Sequence, residues 1–79
     1  MMKMMYLFAY YVVMPDTEIF NRDTEAEKIM EKYDAKAIGR GTFLPTMERD
    51  IQWMLDRDSA IDAERELAEA GFKTKLKDV

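Results

Sequence analysis

Residues 4–14 read MMYLFAYYVVM, a run of eleven residues that contains no charge, proline or glycine. Aromatic and β-branched side chains are enriched in β-strands, and the Pro15-Asp16 pair that follows the run is a turn signal. A helix needs about 20 apolar residues to cross a bilayer, so the run is too short for a transmembrane helix. It predicts a long β-strand around which the rest of the chain is arranged.

The composition narrows the possible chemistry. The chain has 79 residues, a formal net charge of -4, no cysteine and no histidine. Catalytic triads and ordinary zinc sites that depend on these two side chains are therefore excluded. No small-residue cleavage site of the A-x-A kind follows the apolar run. We expect a single domain over residues 1–79, cytoplasmic, without membrane association, metal or cofactor, and without enzymatic activity.

The remaining elements follow from periodicity and from capping signals. Helices are predicted at 23–34 and 59–70, where Thr24 and Ser59 open patterns that resemble capping boxes and Gly71 marks a helix end. Ala60, Ile61, Ala63, Leu67 and Ala68 are predicted to be the inward positions of the second helix. Strands are predicted at 36–43, 48–55 and 72–77, with a bulge near Gly39 and Gly41.

The predicted order β-α-β-β-α-β resembles the ferredoxin-like superfold over the whole chain. This resemblance implies an α+β fold, in which two helices cover one face of a four-stranded antiparallel sheet with strand order 4-1-3-2. One face of the sheet is then free of helices. The superfold hosts many unrelated functions, so the function has to be argued from particular side chains.

Strand parity predicts which side chains occupy each face of the sheet. On the first strand, small Ala9 favours close helix approach, so we expect the following residues to face the helices: Leu7, Ala9, Tyr11 and Val13. The third strand buries Ile51, Trp53 and Leu55. We define the opposite side as the open face, and its predicted residues are Tyr6, Phe8, Tyr10, Asp50, Gln52, Met54, Lys73 and Lys75.

The aromatic residues of the open face and the acidic residues of the helices each allow two interpretations. Three exposed aromatic rings would exceed the apolar patch that a monomer usually leaves bare, which favours docking of a partner. Alternatively, the stems of Lys73 and Lys75 cover the rings. Acidic side chains on the two helices define a second candidate surface, which is either a solvated helix face or a docking site for a basic partner. Its residues are Glu27, Glu31, Asp62, Glu66 and Glu69.

These features predict a protein-interaction module, acting as a homodimer or as an inhibitor-like binder of a larger protein. The chain resembles, in size and composition, the small accessory proteins that phages use against host or defence machinery. The first alternative is single-stranded nucleic-acid binding. The element order is similar to that of RRM-type RNA-binding domains, which implies base stacking on the open-face aromatics and phosphate contacts from Arg40, Lys73 and Lys75. The third strand, however, has no aromatic residue on that face.

The second alternative is a ferredoxin-like dimer that binds a small molecule or acts as a catalyst in its dimer cleft. Two short motifs are candidates for such chemistry. Gly39-Arg40-Gly41 is interpreted as an edge-strand bulge, because no helix follows it to bind a phosphate. Asp56-Arg57-Asp58 is interpreted as part of a helix start rather than as a cation site.

Overall fold

A computed structural model describes residues 3–13 and 21–79 of the protein, without the side chain of residue 21. The described elements are β1 (Met4–Val12), α1 (Asn21–Glu31), β2 (Lys36–Phe43), β3 (Glu48–Asp56), α2 (Arg57–Glu69) and β4 (Lys73–Asp78). The four strands form one antiparallel sheet in the order β2-β3-β1-β4. This is the predicted order 4-1-3-2 read from the other edge, so the prediction of an α+β fold with this sheet and two helices is confirmed.

The core lies between one face of the sheet and the two helices. The predicted inward residues of β1 and the residue that follows it, Leu7, Ala9, Tyr11 and Val13, are all buried, and so are the three predicted residues of β3. The helices add Ala26 and Met30 from α1 and Ala60, Ala63 and Leu67 from α2. The predicted assignment of the two faces of β1 is therefore confirmed.

Several element bounds were predicted wrongly. β1 ends at Val12, and Met14, the predicted strand end, lies outside the described residues. α1 begins at Asn21, so Thr24 lies inside the helix and the predicted capping box is wrong. α1 also ends at Glu31 rather than at residue 34, because a turn with Asp34 at positive φ follows it.

The start of α2 corrects a second capping prediction. Asp56 is the N-cap, and its carboxylate accepts hydrogen bonds from the backbone N and the Oγ of Ser59, both at 2.9 Å. Ser59 therefore lies in the first turn and donates to the cap. The inward positions Ile61 and Ala68 were also predicted wrongly, since both are exposed. They lie about 100° around the helix from the buried stripe of Ala60, Ala63 and Leu67.

The end of α2 confirms the expected role of Gly71, which has φ of +96°. The backbone N of Phe72 donates to the carbonyl of Leu67, and the backbone N of Gly71 donates to that of Ala68. This pair of bonds is the Schellman motif, in which glycine favours the left-handed position. Arg22 of α1 donates to the carbonyl of Ala70 and lies over the Phe72 ring at 4.1 Å. Both interactions fix the junction from α2 to β4.

The β2 strand confirms the predicted bulge, because its register with β3 shifts between Ala37 and Gly39. From Gly39 onward, Arg40 and Thr42 lie on the helix side of the sheet, whereas Gly39, Gly41 and Phe43 lie on the open side. The open side of β2 therefore carries no side chain at two successive positions. A turn at residues 44–47 then leads into β3, as predicted from Pro45-Thr46.

Candidate functional site: the open sheet face

The strand register brings the predicted open-face residues together in rows that run across the sheet. Each of the three β1 aromatics lies between a lysine of β4 and a residue of β3. The rows are Lys77–Tyr6–Met54, Lys75–Phe8–Gln52 and Lys73–Tyr10–Asp50. Because residues on one face of a strand recur every second position, neighbouring rows are about 6.7 Å apart. The eight predicted residues therefore share one surface.

Five further residues in the rows from Tyr6 to Val12 were not among the predicted residues. Lys36 lies opposite Met54, and Lys77 lies opposite Tyr6. A fourth row consists of Val12, Glu48 and Phe43. Strand parity was a sufficient signal for Lys77, Val12 and Glu48. It was insufficient for Lys36 and Phe43, because the bulge in β2 changes the parity between them.

The apolar part of the face is most exposed at the fourth row. Val12 is 56% exposed and Phe43 is 63% exposed, while the three aromatics of β1 are half-buried. The rings of Phe8 and Tyr10 lie parallel, with centroids 6.2 Å apart and planes inclined by 9°. We call Val12 and Phe43 the apolar corner. The three aromatic side chains of β1 are thus less exposed than predicted, and the apolar corner is more exposed.

The charges on the open face are ordered along the strands. The Tyr6 row carries two lysines, Lys36 and Lys77, and the Phe8 row carries one. The Tyr10 row has one lysine and one acid, and the fourth row has only Glu48. Burial, together with the carboxylates of Asp50 and Glu48, raises the pKa of Tyr10. The face therefore changes from basic to mildly acidic toward the apolar corner.

Within the described part of the chain, the lysines of the open face form no ion pair with a carboxylate within 4 Å. These lysines are Lys36, Lys73, Lys75 and Lys77. Elsewhere, Lys3 lies 3.6 Å from Asp78 and Lys32 contacts Glu66.

Most carboxylates of the predicted acidic surface contact cationic or hydroxyl groups of the same chain. Three of its five carboxylates are engaged within the chain: Glu27 contacts Arg40 at 2.8 Å, Asp62 contacts Arg65 at 2.8 Å, and Glu66 contacts Lys32 and Tyr33. Glu31 and Glu69 are exposed. The hydrogen bond to Glu66 is the largest cause that raises the pKa of Tyr33 to about 12.

The position of Arg40 corrects one expectation. Its guanidinium contacts Asp23 and Glu27 on the helix side of the sheet, at 3.7 and 2.8 Å. Arg40 therefore does not contribute to phosphate binding on the open face.

A buried polar network on the helix side was also missed. Arg49 donates from Nε and Nη2 to the carboxylate of Asp23 at 2.7–3.0 Å, and the Tyr11 hydroxyl donates to the same carboxylate at 2.6 Å. Arg49 Nη1 also donates to Thr42 at 3.0 Å. The network joins α1 to β1, β2 and β3.

The pKa shifts within this network follow from burial and hydrogen bonding. Burial acts to raise the pKa of Asp23, but hydrogen bonds from Arg49 and Tyr11 outweigh it and hold that pKa below its ordinary value. The hydrogen bond to Asp23 raises the pKa of Arg49. Burial, followed by the hydrogen bond to Asp23, raises the pKa of Tyr11 to about 12. The cluster is therefore an ion pair at neutral pH, with a neutral tyrosine.

Comparison with protein-family models found no model that matches the chain, and comparison with curated proteins found no matching relative. None of the described helices is both long and apolar enough to span a membrane. Across residues 3–13 and 21–79, no group of three acidic side chains is placed to hold a metal ion.

Proposed function

We propose that the protein is a non-enzymatic, ferredoxin-like interaction module of the cytoplasm, whose open sheet face binds another protein. The observation that carries this proposal is the apolar corner. Val12 and Phe43 are 56% and 63% exposed on the face that bears no described helix, beside three half-buried aromatics. Removing apolar surface from water is favourable, so these exposed side chains favour association.

The flanking residues support the same proposal. A typical protein interface has an apolar centre with aromatic residues and a polar rim. On the open face, the β1 side chains from Tyr6 to Val12 form an apolar strip, Phe43 adds apolar surface at the β2 edge, and the β4 lysines form a basic rim. Such a rim steers an acidic partner surface toward the face and fixes its orientation. This is the behaviour expected of a homodimer or of a small accessory protein that inhibits a larger one.

The proposal is tested by removing the apolar corner. The double variant Val12→Thr/Phe43→Ser is compared with the wild-type protein and with Ile61→Ser. Ile61 is 52% exposed on α2, so the last variant is a matched control on the helix side. Circular dichroism and urea unfolding first establish that all three proteins fold.

Each protein is then immobilised and used to capture proteins from a lysate of the source organism, with quantification by mass spectrometry. A soluble copy of the chain is added to the lysate, so that self-association is also detected. We expect the variant Val12→Thr/Phe43→Ser to lose the protein that the wild type captures specifically, whether this is a lysate protein or the added copy. The variant Ile61→Ser should retain it. Retention of the same partner by the corner variant would refute the proposal.

A second candidate is single-stranded nucleic-acid binding, and it is favoured by the three rows that place a lysine beside each aromatic ring. Aromatic rings stack on bases, and lysines neutralise the phosphate backbone. Fluorescence anisotropy with labelled oligo(dT) and oligo(U) at low salt tests this candidate. Binding that weakens in Lys75→Gln/Lys77→Gln but not in Lys28→Gln would support it. No binding at low salt would exclude it.

A further inference from the structure

The open face is electrostatically complementary to itself when two copies cross. We propose that it binds a second copy of this chain, with the strands of the two sheets near right angles; this inference rests on the proposed function of the open face. Near-perpendicular strands are one of the two common arrangements of packed sheets. In this arrangement the β4 edge of each copy lies over the fourth row of the other, which consists of Val12, Glu48 and Phe43.

Charge favours the crossed arrangement over the alternatives. If the strands of the two copies were antiparallel, the β4 lysines of one copy would lie over the β4 lysines of the other. If the strands were parallel, Lys77 would lie over Lys36, because these residues occupy the two edges of the same row. In the crossed arrangement, the backbone of Lys75 in each copy lies about 6 Å to the side of Glu48 of the other, which is within reach of the lysine side chain. Opposite charges then meet at two symmetry-related positions.

The shape of the face supports the same arrangement. A two-fold axis along the diagonal of the sheet places the Tyr6 row of one copy over β2 of the other, so that Tyr6 and Met54 face the part of β2 that contains Gly39 and Gly41. The glycines leave space there: a Cβ at Gly39 would have its nearest neighbour at 4.0 Å, and a Cβ at Gly41 at 3.7 Å. The two large side chains of the Tyr6 row thus meet the part of β2 that has no side chain at two positions of its open side.

The available area limits the dimer to weak association. Four strands about 4.8 Å apart and four rows about 6.7 Å apart give a face of roughly 500 Å² in projection. When two such faces cross at right angles, they overlap over a square of about 19 Å on a side, or roughly 370 Å² per copy, which is the size of a weak interface. Lys36 lies at the corner of the sheet through which the two-fold axis passes, so it faces Lys36 of the other copy. This contact is at the rim of the interface, where solvent screens the repulsion between the two lysines. We therefore expect a dimer that dissociates on dilution.

A charge exchange tests the arrangement. Sedimentation equilibrium is measured for the wild type, Lys75→Glu, Glu48→Lys and the double variant that carries both changes. Lys28→Glu and Glu31→Lys on α1 are controls with the same changes in net charge, since both residues are exposed on the helix side. We expect each open-face single variant to weaken the dimer by about tenfold, which is 1.4 kcal/mol. The double variant should recover wild-type association, and the controls should leave it unchanged.

Recovery in the double variant is diagnostic of contact between copies. Within one chain, Glu48 and Lys75 are two strands and two rows apart, or about 16 Å, so they cannot form an intramolecular pair. Weakening in both single variants without recovery in the double variant would overturn the crossed arrangement. A wild-type protein that stays monomeric at all concentrations would overturn the second copy as the occupant. In that case the capture experiment with the corner variant still decides whether the open face binds another protein.

Discussion

Replacing Arg49 with methionine should destabilise the protein severely at neutral pH. Asp23 and Arg49 are 6% and 7% exposed, and Arg49 supplies three of the hydrogen bonds to the Asp23 carboxylate. Methionine has a similar length and no charge, so Arg49→Met keeps most of the volume but removes these donors. The carboxylate would retain the Tyr11 hydroxyl and the Arg40 guanidinium, which lies 3.7 Å away.

The magnitude follows from the cost of an uncompensated buried charge. Removing one partner of a buried ion pair costs about 3–5 kcal/mol. A domain of 79 residues has a total stability of about 4–12 kcal/mol. Arg49→Met should therefore remove a large fraction of the free energy of unfolding and leave a protein near its folding threshold at pH 7.

The pH dependence of the effect has a predictable sign. In the wild type, the pKa of Asp23 is lowered in the folded state. The ionised carboxylate therefore contributes to the free energy of unfolding above the unfolded pKa of about 3.9, and this contribution is lost as the pH falls through the folded pKa. Without Arg49, burial dominates and the folded pKa of Asp23 rises above the unfolded value. The variant should then become more stable as the pH is lowered from 7 toward 4, opposite to the contribution of Asp23 in the wild type.

Urea unfolding followed by fluorescence measures both effects, because Trp53 is the single tryptophan and is buried. Arg65→Met is the matched control, since Arg65 pairs with Asp62 on an exposed helix surface and should contribute less than about 1 kcal/mol. Asp23→Asn/Arg49→Met should be more stable than Arg49→Met alone at pH 7, because it leaves no buried charge. A loss below about 1 kcal/mol, or a stability that falls with acid in the same way as in the wild type, would refute this reasoning.

Three further predictions concern local features, and each is measured by the same unfolding assay. Gly71→Ala should lower the free energy of unfolding by about 1 kcal/mol, because Gly71 has φ of +96°. Gly39 does not have positive φ, so Gly39→Ala should be nearly neutral in the monomer. Equal effects of the two substitutions would contradict this account. Asp56→Ala should cost about 1 kcal/mol by removing the N-cap of α2, with Asp58→Ala as a control that removes no cap. The raised pKa of Tyr11, about 12, means that its contribution is complete below pH 10 and declines toward pH 12. The stability difference between wild type and Tyr11→Phe should therefore shrink over that range, and a constant difference would count against the hydrogen bond to Asp23.

The sheet was predictable because its signals are local and strongly periodic. The alternation of Ile51, Trp53 and Leu55 with polar residues defines which face of β3 is buried, and the antiparallel order then determines the neighbours. Both faces of β1 are apolar, so its assignment depended on one small residue, Ala9, and this proved sufficient. Helix starts were less predictable, because Ser, Thr and Asp side chains compete for the same capping role within a few positions.

The buried network was harder to predict because its members are individually ordinary. Arg49 has the same parity as Ile51 and Trp53, and a charge at a buried strand position requires a partner. The sequence shows that requirement but not which carboxylate meets it. Asp23 is 26 residues away and reaches Arg49 only because α1 packs over the sheet at that point. Long-range charge pairs of this kind depend on the tertiary arrangement and not on local spacing.

The two sides of the sheet use charge in opposite ways, and this difference supports the functional proposal. On the helix side, Arg40, Arg49 and the carboxylates of Asp23 and Glu27 satisfy one another, so those charges stabilise the fold. On the open side, the lysines have no described carboxylate within 4 Å, and the apolar corner remains exposed. Covering the exposed apolar side chains is favourable, whereas the hydrated lysines contribute by attracting and orienting an acidic partner surface. The open face thus combines apolar area with steering charge, and this combination is the reason for proposing that it binds a partner.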